Sequence, residues 1–180
     1  LFRVDVSSTI DIDNKIELSS RRKRGVKKAL KSDLKVEKSQ DYENFYIILS
    51  EMLTTKHNTT PTHSLLEIKL LTEFFPDNIL LYSTVNSDNK MLAAVLVFEM
   101  NNWVHAQYIV LSQEGKEVGA LDLLFDQLIN VIYKSKKYFD FGISTENQGK
   151  LLNIGLINQK EEFGARAIIH NFFELSSGSK

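Results

Sequence analysis

The chain has 180 residues, of which 43% are hydrophobic and 25% are charged, and its formal net charge is −1. A chain of this length is expected to form one domain that buries a core without disulfides or a structural metal. It has no cysteine, and its four histidines lack metal-ligand spacing, which excludes a disulfide framework, a thiol nucleophile and a cysteine-ligated zinc site. No apolar run approaches the roughly 20 residues of a membrane span, and no segment resembles a secretory signal, so we expect a cytoplasmic protein.

The chain opens at Leu1 rather than at an initiator methionine, so we expect it to be part of a longer protein. Apolar and polar residues alternate over 1–12, which predicts a strand or an extended linker. Residues 19–32 predict a helix that Ser19 or Ser20 caps. Its predicted apolar stripe is thin and consists of Val26, Ala29 and Leu30.

Six further elements are predicted between residues 34 and 111. Their ranges are 34–38 (strand), 41–57 and 64–75 (helices), and 79–85, 91–100 and 103–111 (strands). The helix predicted over 64–75 begins with a capping-box pattern, Ser64 and Glu67, and ends before Pro76. The run 91–98 is apolar at odd and even positions alike, which predicts a strand that is covered on both faces.

The last third of the chain predicts two strands and two helices. The ranges are 113–116 (loop), 118–134 (helix), 138–143 (strand), 149–162 (helix), 165–175 (strand) and 176–180 (polar tail). The order from residue 34 is therefore β-α-α-β-β-β-α-β-α-β. It predicts an α/β (α+β) fold with a mixed, twisted sheet and helices on both faces. The final β-α-β-α-β portion requires crossover connections and hence parallel neighbours.

The most distinctive sequence feature is a basic run, residues 21–31, which holds seven basic residues and no acid. On a helix, four of them share one face: Arg21, Arg24, Lys28 and Lys31. Such a stripe could bind the phosphates of a tRNA acceptor end or of a nucleotide-sugar carrier. The alternative is a solvated helix face beside acidic neighbours.

Polar residues gather at the carboxyl end of the strand predicted over 138–143. They are Asp140, Ser144, Thr145, Glu146 and Asn147. Ligands bind at such ends where neighbouring strands diverge, so these residues are candidates for substrate binding. Alternatively, Ser144 or Thr145 caps the next helix and Asn147 lies in the turn.

The C-terminal segment carries a family resemblance. It consists of Tyr138–Glu146, Leu152-Asn153, Gly155-Leu156 and Gln159–Ala165. It resembles the end of the bacterial Fem-type peptidyltransferases, in which a strand is followed by a helix and a Lys-x-x-Phe-Gly turn into the last strand. The run 21–30 resembles the basic helix between that family's two GNAT-like halves. The resemblance implies a GNAT-like fold, with a leading strand or linker and basic helix over 1–33 and a GNAT-like acyltransferase domain over 34–180.

The resemblance also implies a reaction and its residues. Fem-type enzymes transfer an amino acid from aminoacyl-tRNA to an amine of a peptidoglycan-precursor peptide, and this chain resembles only their second half, so we expect an N-terminal half to precede it. Lys160 matches a lysine that neutralises a tRNA phosphate or the developing oxyanion. The alternative is a surface lysine paired with Glu161 or Glu162. Asn153 and Phe163 match further substrate-binding positions, although Phe163 is also expected in the core.

In a GNAT-like fold the strand 103–111 flanks the acyl donor, which makes His105 and Tyr108 catalytic candidates. Their opposite parity predicts that at most one of them faces the cleft, and a lone strand histidine is more often a core residue. We expect direct acyl transfer without a covalent enzyme intermediate, because the chain has no cysteine and no Ser/His/Asp arrangement is legible.

Two alternatives to aminoacyl transfer remain. One is a CoA-dependent N-acyltransferase, in which a Gly-rich loop before a helix holds the pyrophosphate. The candidates here are Gly115 and Gly119, but their spacing differs from that loop and Glu114 and Glu117 would repel a pyrophosphate. We therefore expect no cofactor. The other alternative is a non-catalytic half-domain that binds tRNA, a nucleotide-sugar or a partner domain.

Overall fold

The structure is a computed structural model that describes residues 1–57 and 59–175. The polar tail predicted over 176–180 lies outside the described residues. None of the helices in the described ranges is long and apolar enough to cross a membrane.

Strands and helices cover most of the described chain. The strands are β1 (Arg3–Asp11), β2 (Lys35–Ser39), β3 (Ile79–Val85), β4 (Met91–Glu99), β5 (Trp103–Leu111), β6 (Tyr138–Ile143), β7 (Thr145–Glu146), β8 (Leu151–Leu152) and β9 (Arg166–Phe172). The helices are α1 (Ser20–Leu30), α2 (Tyr42–His57), α3 (Leu65–Phe74), α4 (Gln113–Val118), α5 (Ala120–Gln127) and α6 (Ile154–Glu161). A π-helical turn, Leu128–Ile132, continues α5. Ser19 caps α1, and Ser64 and Glu67 form the predicted capping box of α3.

Seven strands form one mixed sheet in the order β2-β3-β4-β5-β6-β1-β9. All neighbours are antiparallel except β5 and β6, which are parallel. β7 and β8 form a separate small hairpin. The predicted mixed sheet is confirmed, and β5 is its middle strand.

β1 lies between β6 and β9 and pairs antiparallel with both. The sequence predicted that the last strands would be parallel neighbours. β6 and β9 do run parallel to each other, but the N-terminal strand separates them. No pattern within the C-terminal third could reveal a strand inserted from the other end of the chain. The seven-stranded sheet therefore contains β1, from the leading segment 1–33, together with strands from residues 34–180.

Helices cover the sheet on both faces, as predicted. On one face, α5 buries Leu124 and Phe125 against Phe139 and Phe141 of β6, and Phe163 completes this core. On the other face, α2 and α3 cover β3, β4 and part of β5. This second core contains Phe45, Leu49, Ile68, Leu81 and Leu96. β3 is buried at every position, and β4 along most of its length, which explains their continuous apolar sequences.

The helix α1 packs against α5 and approaches it closely. A Cβ on Gly25 would lie 1.8 Å from a carboxylate oxygen of Asp122, so any larger residue here would displace the Asp122 side chain. The buried residues of this helix are Arg22 and Ala29, whereas Leu30 is 61% exposed. The predicted apolar stripe was therefore wrong at Leu30. Arg22 is buried at this contact because the carboxylates of Asp122 and Glu162 face its guanidinium group.

Arg22 bridges three elements. Its guanidinium pairs with Asp122 of α5 at 2.7 Å and with Glu162, just after α6, at 3.0 Å. It also lies over the Phe163 ring, 4.0 Å from the centroid. These contacts neutralise one of the seven charges of the basic run.

Capping motifs moved two of the predicted boundaries. Residues 113–118 form α4, which Ser112 caps and Gly119 ends with a φ of +78°, where a loop was predicted. Residues 151–152 belong to the β7–β8 hairpin rather than to the following helix, and α6 begins after its cap, Asn153. In both cases a short capping motif overrides the longer apolar periodicity.

Candidate active site

β5 and β6 diverge partway along the sheet. Their parallel pairing consists of three residue pairs and ends where His105 lies beside Asp140. Among the described residues, no strand pairs with β5 on that side beyond His105. The two strands therefore separate toward their carboxyl ends, the arrangement in which α/β proteins bind ligands.

A β-bulge in β5 decides which side chains face this opening. Ala106 lies opposite Val97 of β4 and Tyr108 lies opposite Leu96, so Gln107 is an extra residue in β5. Such a bulge reverses the alternation of side chains beyond it. His105 and Tyr108 therefore share the face on which α2 and α3 pack. The opposite parity that the sequence predicts for them is therefore wrong, because a residue count does not reveal a bulge. The expectation that at most one of them faces the cleft still agrees with the structure, since His105 lines the cavity described below and Tyr108 does not.

A second irregularity lies between β1 and β6. Thr9 is opposite Asp140 and Ser7 is opposite Ile143, so two residues of β6 face the single residue between Ser7 and Thr9. One of the two is Gly142, with a φ of +74°. β-Bulges of this kind commonly re-aim side chains next to active sites.

His105 and Asp140 form a hydrogen-bonded pair at the point of divergence. The imidazole Nδ1 lies 2.6 Å from Asp140 Oδ2. Asp140 also accepts hydrogen bonds from Thr9 Oγ1 at 2.9 Å and from the Gly142 amide at 3.1 Å. Burial raises the pKa of Asp140, but the hydrogen bonds from His105 and Thr9 outweigh it and the net pKa is lowered. The ionised carboxylate favours a proton on Nδ1 and leaves Nε2 free to accept one.

A cavity of about 780 Å³ opens on this face of the sheet. Its lining comes from β1, β5, β6 and β9, beyond the part that α2 and α3 cover. The polar lining side chains include Asp5, Ser7, Thr9, His105, Asp140 and His170, and the aromatic ones include Trp103, Tyr138 and Phe172. The cavity thus combines apolar walls with a few polar groups, as small-molecule sites do.

The sequence pointed to His105 and Asp140, whereas Asp5, Ser7, Thr9 and His170 were not predicted. The signal for the first three was present, because they are polar residues at alternate positions of a strand whose intervening positions include Val4 and Val6. His170 carried no such signal. Its role depends on β9 pairing with β1, and 163 residues separate it from Ser7.

Tyr108 lies on the same face as His105 but outside the cavity lining. Its hydroxyl is 2.7 Å from Nδ1 of His63, and its ring packs edge-on against Phe45. These contacts link β5 to α2 and to the loop before α3.

Lys160 is buried, with 6% of its surface exposed. Its ammonium group donates to the carbonyl oxygens of Gly142 and Ile143 at 2.9 and 2.7 Å, and to Ser144 Oγ at 3.1 Å. Burial lowers the pKa of Lys160 to about 8, and the negative charge of Asp140 partly opposes this shift. The alternative of a surface ion pair with Glu161 or Glu162 was wrong, because all three N–H groups bind the end of β6.

Most of the predicted polar cluster serves local structure. Ser144 binds Lys160, and Thr145 donates to Asp5 at 3.0 Å. Glu146 accepts from Asn153 at 2.7 Å, and the Asn153 side chain accepts from the Leu156 amide as the cap of α6. Asn147 lies in the turn between β7 and β8 with a φ of +49°. Of the five predicted residues, Asp140 lines the cavity. Phe163 is buried in the core, as expected.

The basic stripe lies on the opposite face of the sheet from the cavity. Arg21 pairs with Glu162 at 3.2 Å. Arg24, Lys28 and Lys31 are exposed, and no ion pair within residues 1–57 and 59–175 involves any of them. The structure therefore places three of the four predicted residues on one unneutralised surface.

The two candidate cofactor glycines have packing roles. A Cβ on Gly115 would lie 2.2 Å from the Leu92 carbonyl oxygen, and one on Gly119 would lie 2.5 Å from the Gly25 carbonyl oxygen. Gly115 thus allows α4 to approach β4, and Gly119 allows the start of α5 to approach α1. The backbone of α1 thus lies directly against the start of α5.

Comparison with known proteins identifies the fold. No protein-family model and no curated protein matches the chain. Among solved structures, it is similar to FemX, with a TM-score of 0.73 and 11% identity over 90% of this chain and 59% of that one. It is also similar to L-PGS from Bacillus licheniformis, with a TM-score of 0.67 and 12% identity over 92% of this chain and 60% of that one. A possible acetyltransferase from Clostridium difficile 630 has a TM-score of 0.58 and 12% identity over 81% of this chain and 99% of its own.

These similarities establish a GNAT-like fold and confirm the fold that the sequence resemblance implied. The chain spans about 60% of the length of FemX and L-PGS.

Proposed function

We propose that this protein transfers an acyl or aminoacyl group to an amine, with His105 as the general base. The observation that carries the proposal is the 2.6 Å pair of His105 and Asp140 at the divergence of β5 and β6, facing the cavity. An attacking amine must lose a proton as it adds to the carbonyl carbon. Nε2 of His105 takes that proton, and Asp140 stabilises the resulting imidazolium. A positioned base of this kind contributes about 10²–10⁴-fold to the rate.

The acyl donor would lie between the diverging strands. There the edge of β5 beyond His105 offers backbone N–H groups that a donor carbonyl could reach, since no strand in the described part of the chain pairs with it. Such groups stabilise negative charge that develops on a carbonyl oxygen. The cavity volume of about 780 Å³ falls in the range of roughly 300–1,000 Å³ that ligand pockets have.

The proposed donor is aminoacyl-tRNA and the proposed acceptor is an amine of a peptidoglycan-precursor peptide, which would place the reaction in the cytoplasm. Support comes from the similarity to FemX and from the cationic surface of Arg24, Lys28 and Lys31. Tandem GNAT-like halves would provide the rest of the substrate site. CoA is disfavoured as donor because α1 packs against Gly119.

The test uses the natural full-length protein with labelled aminoacyl-tRNAs, or with a panel of acyl-CoAs, and a precursor peptide that carries a free amine. We expect transfer from aminoacyl-tRNA, and His105→Asn should lower turnover by about 10²–10⁴-fold. The matched control is His63→Asn, whose side chain lies outside the cavity lining and should leave turnover near wild type.

Each other outcome points to one of the alternatives. Transfer from acyl-CoA alone would indicate a CoA-dependent N-acyltransferase. Binding of tRNA without transfer from any donor would indicate a non-catalytic binding domain. Full turnover in His105→Asn would reject the role assigned to this histidine.

A further inference from the structure

A second hydrogen-bonded pair that contains a histidine lines the same cavity. Ser7 Oγ of β1 is 2.9 Å from Nε2 of His170 of β9, and both residues line the cavity. Ser7 lies directly opposite Ile168, so His170 is its diagonal neighbour, and the imidazole must lean along the strand to reach the hydroxyl. A serine hydroxyl that faces a cavity and contacts an imidazole nitrogen has the geometry of an activated nucleophile.

A buried carboxylate lies beside this arrangement. Asp5 is 5% exposed, lines the cavity and lies directly across from His170 on the neighbouring strand. It accepts hydrogen bonds from Arg3 at 2.9 Å and from Thr145 at 3.0 Å. The Arg3 hydrogen bond is the largest cause that lowers the pKa of Asp5, and the nearby His170 contributes to the same shift. The Asp5 carboxylate therefore lies where it can stabilise the imidazolium that forms when His170 accepts the serine proton.

We propose that Ser7 is a nucleophile that holds the acyl group as an ester between the donor and the amine, with His170 as its base. This inference rests on the proposed acyl transfer. It replaces the expectation of direct transfer, which was based on the absence of a legible Ser/His/Asp arrangement. The three residues converge only through the pairing of the first and last strands of the sheet.

The proposed first step forms the ester. Ser7 Oγ adds to the carbonyl carbon of an activated acyl donor, such as the ester of an aminoacyl-tRNA, and His170 Nε2 takes the hydroxyl proton. The bond from the carbonyl carbon to the leaving-group oxygen then breaks. That oxygen departs with the proton from His170, so the acyl group is bound to Ser7 and no charge is left over.

The proposed second step transfers the acyl group to the amine. Between the two steps the neutral His170 takes up a proton from solvent. The amine nitrogen then adds to the ester carbonyl and loses a proton to His105, and Ser7 Oγ departs with the proton from His170. His105 releases its proton to solvent, which restores the site. His170 belongs to an exposed strand, so this exchange with water is open to it.

The position of Ser7 suits a relay between the two histidines. Thr9 lies two residues further along β1 and donates to Asp140, the partner of His105. Residues two apart in a strand point to the same face about 6.5–7 Å apart. An ester on Ser7 would therefore lie beside the base that activates the amine.

The test incubates the full-length protein with donor but without amine acceptor and analyses the quenched protein by peptide mass spectrometry. p-Nitrophenyl acetate serves as a second, tRNA-independent donor. We expect one acyl group on Ser7. When the amine acceptor is added, more of this adduct should remain in His105→Asn than in the wild type, since the second step is blocked there. Ser7→Ala should abolish this adduct and lower turnover by more than about 100-fold, as the loss of a nucleophile does. His170→Asn should slow formation of the adduct.

Ser8 provides the matched control. It is fully buried and adjacent in sequence, and it lies outside the cavity lining, so Ser8→Ala should keep both the adduct and turnover. If Ser7→Ala does not fold, Ser7→Cys replaces it and should form a thioester that neutral hydroxylamine cleaves. Three results together would overturn the acyl-serine step and leave the proposed function intact. They are wild-type turnover in Ser7→Ala, no adduct in the wild type, and reduced turnover in His105→Asn. No transfer from any donor would instead reject the proposed function.

Discussion

Gly142 leaves room for the His105 ring, because a Cβ on residue 142 would lie 3.2 Å from Cε1 of His105. Gly142 also has a φ of +74°, in the left-handed region that favours glycine. The bulge of β6 therefore uses a residue without a side chain at the place where the imidazole approaches. Its amide donates to Asp140, so one residue helps to position both members of the pair.

The first prediction concerns Gly142→Ala. The left-handed backbone costs roughly 1–2 kcal/mol for a residue with a Cβ, so the free energy of unfolding should fall by about that amount. The added methyl group also displaces the His105 ring, and we expect turnover to fall by more than tenfold. Denaturant melts and steady-state kinetics measure the two effects. Gly155→Ala is the control, because its Cβ would have one neighbour, at 3.5 Å. Unchanged turnover in Gly142→Ala would contradict the proposed geometry.

The second prediction concerns Lys160 and pH. The pKa of Lys160 is about 8 in the folded protein, below its ordinary value of 10.5. Between these two pH values the unfolded chain holds a proton that the folded protein has lost, so the free energy of unfolding should rise with pH. Lys160→Met should remove this contribution, and it should also destabilise the fold by about 1–3 kcal/mol through unsatisfied carbonyl groups on β6. Urea melts from pH 7 to 10 measure both, with the exposed Lys116→Met as control. Equal pH slopes for wild type and Lys160→Met would contradict the lowered pKa.

The third prediction concerns the buried cation of α1. Arg22→Ala leaves Asp122 and Glu162 without their shared partner and removes the contact with Phe163, so we expect a loss of about 3 kcal/mol of stability. Arg24→Ala is a closely matched control, because it lies two residues away on the same helix but is exposed. It should change the free energy of unfolding by less than about 0.5 kcal/mol. Equal effects of the two substitutions would show that the bridge does not hold α1 to the domain.

Apolar periodicity predicted most of the fold. Strands 79–85, 103–111 and 138–143 have the bounds that the sequence predicted, because each is an uninterrupted apolar or alternating run between turn residues. Leu124 and Leu128, at helical spacing in the predicted helix 118–134, are fully buried. The order of elements then favoured a mixed sheet, which the structure has.

The site was less predictable because it depends on long-range pairing and on two bulges. His105 and Asp140 lay at recognisable positions, but their contact requires β5 and β6 to pair in one register. Because of the bulge at Gln107, His105 and Tyr108 share one face of the sheet, although alternation along the strand predicts opposite faces. Ser7 and His170 meet because the chain termini bring β1 and β9 together, and no local pattern encodes that pairing.

The last prediction concerns the basic stripe. Arg21 is paired with Glu162, which leaves Arg24, Lys28 and Lys31 as the unneutralised cations of that face. If these three residues meet phosphates of the tRNA on the face opposite the cavity, binding to tRNA should weaken as salt rises, because neutralised phosphates release counterions. The slope of log affinity against log salt is about −0.7 to −0.9 per phosphate, so three contacts give a slope between about −2 and −3.

The variant for this prediction is Arg24→Glu combined with Lys28→Glu in the full-length protein. We expect it to reduce tRNA affinity by more than tenfold and to flatten the salt slope to between about −0.9 and zero, since one cation remains. The fold should persist, because the exposed Arg24 and Lys28 take no part in the buried contact of α1 with α5. Thermal melting checks this point.

A second double reversal, Lys134→Glu with Lys150→Glu, makes the same change in net charge at exposed positions away from α1. It separates a local contact from a general effect of net charge. If both double variants weaken binding equally, the interaction is nonspecific and α1 has no special role. If neither variant changes binding to tRNA or to a nucleotide-sugar, the stripe is a solvated helix face, and the proposed aminoacyl-tRNA donor loses the support that this surface gives it.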